Sequence, residues 1–141
     1  MKNALLIFLT VLGLSQMTKA DTIDFWHVYY NKAKIREFNQ YSTREIILKL
    51  NKIKSGDSIT VKYFRDTPCS YCSTYLTVES GKHHVILTSK GKGTYNPISF
   101  SLKDLIAYRM SSGKNYFDIF YFERENKSLS NKIFIFRIKL E

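Results

Sequence analysis

Between Phe25 and Leu140 the chain is a succession of short stretches rich in β-branched and aromatic residues, each cut off by turn-forming Asn, Gly, Ser, Asp or Pro. That rhythm suits strands and leaves little room for long helices. Strands are expected at residues 25–30 and 34–38, joined across Asn31-Lys32, where Asn31 tolerates the left-handed conformation a tight hairpin needs. Residues 44–50 follow, then the Ser55-Gly56-Asp57 turn and a strand over 58–64. There Ile59, Val61 and Tyr63 alternate with Thr60 and Lys62, giving one buried and one wet face.

Residues 73–79 and 82–89 flank Ser80-Gly81, a second two-residue hairpin signal, and 88–97 reads as a loop. Residues 115–123 (NYFDIFYFE) are apolar on both sides, the pattern of a central strand covered on both faces. Residues 132–140 place Phe134, Phe136, Ile138 and Leu140 on one side. One short helix is expected near 102–108, with Ser101 as its cap, Asp104 answering that cap and Phe100 stapled on Leu105. The expected fold is therefore all-β: a two-layer antiparallel β-sandwich, immunoglobulin-like in architecture. A true immunoglobulin domain sets a Trp between distant cysteines, whereas Trp26 here precedes a cysteine pair only three residues apart.

The first twenty residues read differently. Lys2 precedes a run from Ala4 to Leu14 too short to span a bilayer, and Thr18-Lys19-Ala20 offers small side chains at the two positions a signal peptidase admits. A removable signal at 1–20 and a single domain at 21–141 are expected, with no membrane span after cleavage. The product would be exported, to be periplasmic, outer-membrane-associated or extracellular. The formal net charge is +10, and cleavage removes two lysines and no acid. Such a charge attracts anionic partners through a field that salt screens. The basic residues are spread along the chain with no run of five, which reads as a solvated surface bias ahead of a binding patch; the partner is left open among a glycan, an anionic surface and an envelope protein, and nucleic acid is not expected.

The only compact chemical motif is Pro68-Cys69-Ser70-Tyr71-Cys72. In an exported chain whose only two cysteines these are, a structural Cys69–Cys72 disulfide is the leading expectation. Thiol exchange is the second reading, with Arg65 lowering a thiol pKa by charge. The β-branched stretch after Cys72 supplies no helix N-terminus for it. A metal site completed by His83 or His84 is the third, and it lacks a fourth ligand. No metal, cofactor or catalytic residue is assigned, and an enzyme is the less favoured class. His27 is read as a surface residue, and Asp66 with Asp118 or Glu123 as solvated carboxylates rather than an acid–base pair. Tyr71 and Tyr75 lie close in sequence to the cysteine turn, and with Arg65 they form the candidate binding patch, since an aromatic beside a rigid turn and a cation can stack on a sugar ring or dock a partner.

Residues 24–31 (DFWHVYYN) and 56–72 (GDSITVKYFRDTPCSYC), with an extension over 97–105, resemble small exported β-rich proteins of Bacteroidota. The resemblance implies a Gram-negative envelope location. It implies no activity and assigns no functional residue.

Overall fold

The computed structural model describes residues 23–125 and 128–141; the expected signal at 1–20 lies outside them. The chain forms β1 (Phe25–Tyr30), β2 (Ala33–Asn39), β3 (Glu45–Leu48), a 3-10 turn (Leu50–Lys52), β4 (Ser58–Phe64), β5 (Ser73–Ser80), β6 (His84–Lys92) and β7 (Ile98–Ser101). Then come α1 (Leu102–Ser112), β8 (Tyr116–Glu125), β9 (Ser128–Leu129) and β10 (Ile133–Leu140). The strands make two sheets, ordered β2-β1-β4-β7 and β3-β10-β8-β5-β6, with β9 paired to β8. This is the two-layer, mostly β architecture the sequence implies. One pairing departs from the antiparallel expectation: β3 pairs with β10 in parallel.

The layers pack because alternation turns one side of each strand inward. Trp26, Val28, Ile59, Val61 and Tyr63 from the first sheet meet Leu76, Val78, Phe117, Ile119, Tyr121, Phe136 and Ile138 from the second, all buried. Asn31 takes the expected left-handed conformation (φ 55°) between Tyr30 and Ala33. Asp57 fixes this end of the sandwich. Its carboxylate accepts from Lys54 N (2.8 Å), from Asn31 Nδ2 (3.0 Å) and from the Tyr30 hydroxyl, and its carbonyl receives Leu102 N (3.0 Å) at the start of α1.

Four local expectations are corrected. The helix runs one turn beyond 108, to Ser112. Ser101 Oγ caps it by accepting from Lys103 N (3.2 Å), and Gly113, in the left-handed region (φ 71°), closes it. The β5–β6 turn centres on Lys82 and His83, both with positive φ, rather than on Ser80-Gly81, so β6 starts at His84 and continues through the expected loop to Lys92. Gly91 permits that continuation, since a Cβ there would stand 2.8 Å from Thr74 Oγ1 and 2.9 Å from Ile98 Cγ1. Finally, β10 carries an irregularity between Phe134 and Phe136: Phe134 lies opposite Phe120, and Phe136 lies opposite the very next residue of β8, Ile119. Ile135 is the surplus residue of a bulge, and it turns Phe134 to the side opposite Phe136 and Ile138.

Candidate functional site

The link from β4 to β5 crosses one end of the sandwich and holds the cysteine pair. Cys69 and Cys72 are joined as a disulfide, their Cα atoms 5.6 Å apart, with Cys72 buried and Cys69 half-buried. The turn docks on the β6–β7 link through backbone bonds: Gly93 N donates to Cys72 O (2.8 Å), and Thr94 N donates to Cys69 O (2.9 Å). Gly93 (φ 79°) sits so close that a Cβ would be 3.0 Å from Ser70 O.

Beneath this turn lies a buried polar cluster centred on Glu123, which is 5% exposed. Its carboxylate accepts from Tyr121 Oη (2.8 Å), Thr94 Oγ1 (2.8 Å) and Arg65 Nη1 (3.0 Å). Thr94 Oγ1 in turn receives Cys69 N (2.7 Å), so the disulfide turn, β6–β7 and β8 share one network. Burial, reinforced by the Glu123 carboxylate, pushes the Tyr121 hydroxyl well above the usual tyrosine range, and Tyr63, tilted against it and donating to Asp24, is pushed up for the same reason.

This geometry separates the residues the sequence placed in one patch. Arg65 reaches between the sheets to Glu123 and donates its Nε to Thr67 O (2.8 Å), so its charge is spent on the fold. Tyr71 is 63% exposed and donates to Glu125, which raises its pKa. Tyr75 belongs to the outer side of the second sheet. His83 and His84 stand at the far end of β5 from the cysteines, about 25 Å away at the usual strand rise, so neither completes a metal site with them. His83 Nδ1 lies 3.3 Å from Glu79, and His84 stacks on Tyr108. Glu125 is the acidic group beside the two sulfurs, which as a disulfide offer no thiolate. Asp118 pairs with Arg137 (2.7 and 2.9 Å) on the outer side while Glu123 lies inside, so the two cannot act on one substrate. His27 sits outside the first sheet, 2.8 Å from Glu37.

The outer side of the second sheet was expected to be covered, and it is open. Tyr75 and Phe122 stack at 4.8 Å with their planes 7° apart, and Phe120 meets Phe134 edge-on at 5.6 Å. All four rings are half-buried, by one another and by long cations. Lys90, opposite Tyr75 in register, holds its ammonium 5.8 Å over that ring, and Lys132 lies 5.0 Å over Phe120. Arg137 and Lys139 flank Tyr116. Under Lys132 lies Glu79, 1% exposed, which also accepts from Thr77 Oγ1 (3.3 Å); burial lowers the Lys132 pKa. The sequence carried the signal for this surface: two layers cannot cover both sides of a chain that is apolar on both, as 115–123 is.

Fold and site together define a β-sandwich with a disulfide-pinned, polar-plugged end and an open aromatic and cationic sheet face. No protein-family model matches the chain, and no curated protein matches it.

Proposed function

We propose that the protein is an exported, non-catalytic binding module of a Gram-negative cell envelope, and that the outer face of its six-stranded sheet holds an acidic glycan. The observation that carries this reading is the alternation of rings and cations on that face: Tyr75 under Lys90, Phe120 under Lys132, and Tyr116 between Arg137 and Lys139. Rings offer apolar surface to a sugar, and Lys90, which pairs with no carboxylate among the described residues, answers its acidic groups, while Lys132, Arg137 and Lys139 are shared with Glu79, Asp118 and Glu141. The buried carboxylates support a binding role over a hydrolytic one, since Glu79 and Glu123 are each surrounded by donors from the protein itself. Thiol exchange has less support: no helix begins at Cys69, and Cys72 is buried.

The test is retention on an immobilised sulfated polysaccharide against a neutral one. Binding should fall gradually with salt, and Lys90→Glu and Tyr75→Ser should each weaken it while leaving the circular dichroism spectrum unchanged. No retention at low ionic strength removes the proposal. Mass spectrometry of the product from its host cells tests the export half, the expected N-terminus being Asp21.

A further inference from the structure

The second sheet ends at β3, and among the described residues no strand pairs with the outer side of that strand. Which backbone groups it offers follows from its parallel pairing with β10. Arg137 N donates to Arg44 O (2.8 Å), Glu141 N to Leu48 O (2.9 Å) and Leu50 N to Glu141 O (2.7 Å), so the even-numbered residues of this stretch bond to β10. The N–H and C=O groups of Glu45 and Ile47 and the N–H of Lys49 therefore point away from the sheet, while Lys49 O receives Lys52 N (3.0 Å) in the 3-10 turn. Lys49 stays extended (φ −84°, ψ 121°), so its N–H carries the offered edge past Ile47. Exposed edges of this kind invite another strand unless something blunts them. This one has no proline and no bulge, and Ile47 at its middle is 54% exposed.

We infer that β3 pairs antiparallel with β3 of a second copy about a two-fold axis through Ile47. Only registers that set odd residues opposite odd residues use the outward groups of both chains. The register centred on Ile47 uses all three, with Ile47 opposite Ile47 and Glu45 opposite Lys49 on both sides of the axis. The central pair exchanges two backbone hydrogen bonds, each outer pair forms one from Lys49 N–H to Glu45 O, and each outer pair brings opposite charges together. The stretch is self-complementary, as a two-fold interface requires. Beside it lies an opening of about 650 Å³ between the free edges of the two sheets, lined by Tyr30, Ile35, Arg36, Glu45, Ile47 and Leu48. The arriving copy covers this opening, and the two six-stranded sheets become one.

Sedimentation equilibrium of the purified protein reads the outcome. The protein should dimerise in a concentration-dependent way, and Ile47→Pro should be monomeric with an unchanged circular dichroism spectrum, because the N–H it removes makes no bond within the chain. Glu45→Lys and Lys49→Glu should each weaken self-association by at least about tenfold, since each sets like charges opposite one another twice. An equimolar mixture of those two variants should dimerise again, because the chain with lysine at both positions then faces the chain with glutamate at both. A wild-type monomer at about 1 mM, a dimer indifferent to Ile47→Pro, or a mixture that stays monomeric overturns the inference.

Discussion

Replacing Glu123 by Ala is the perturbation that tests the buried cluster most directly. Three donors lose their acceptor: Tyr121 Oη, Thr94 Oγ1 and Arg65 Nη1. Breaking a fully buried ion pair costs about 3–5 kcal/mol, but the Arg65 side chain is 31% exposed, so water takes up most of its loss. Thr94 keeps an acceptor in Cys69 O (3.3 Å). The Tyr121 hydroxyl, in a buried side chain, has no substitute partner, and a stranded group of that kind costs about 1–3 kcal/mol. Together these give a loss of about 2–4 kcal/mol, which at an m-value of about 2 kcal/mol per M moves the urea midpoint down by about 1–2 M. The decisive measurement is a cycle with Tyr121→Phe. Once the hydroxyl is gone, removing Glu123 strands less, so the double variant should be more stable than the sum of the single losses predicts, by about 1 kcal/mol or more. Additivity within about 0.3 kcal/mol would refute the argument that this carboxylate is held in place to satisfy its neighbours.

Reducing the disulfide, or replacing Cys69 and Cys72 by Ser, should cost only about 2 kcal/mol in equilibrium unfolding, because so short a closed loop restricts the unfolded chain little. Asp57 is held below the usual carboxylate range, chiefly by Lys54 N–H and then by Tyr30 and Asn31. Its stabilisation is complete above the unfolded value near pH 4 and is lost as pH falls through the lower folded value; thermal melts of Asp57→Asn should accordingly show a flatter acid limb than wild type. At the other extreme, burial and Asp57 push the Tyr30 hydroxyl up to about 12. That contribution is intact below about pH 10 and disappears as pH rises toward 12, so Tyr30→Phe should blunt alkaline unfolding. Gly91→Ala should destabilise by about 1–3 kcal/mol through its clash with Thr74 and Ile98, whereas Gly56→Ala, with open space around it, should change little.

The strands were legible wherever alternation was strong and turn residues stood at both ends, as at 25–30 and 58–64. The disulfide was legible because only two cysteines exist. What escaped depends on contacts distant in sequence. The parallel pairing of β3 with β10 leaves no local mark, since either strand would look the same beside an antiparallel neighbour. Arg65 looked free because nothing near it in sequence is acidic except Asp66, and its partner Glu123 is 58 residues away. Phe120 and Phe122 looked like core because an aromatic residue reads the same whether a second layer or a row of lysines lies over it.

The surplus residue in β10 decides which length changes that strand can accept. Ahead of it Phe134 faces outward, and after it Phe136 and Ile138 face inward with Arg137 outside. Deleting Ile135 would yield an evenly alternating strand with every other side chain still on its present side, for the loss of one buried isoleucine. Deleting Arg137 or Ile138 instead would send Lys139 toward the interior. Shortening is thus permitted at the bulge and forbidden one residue beyond it.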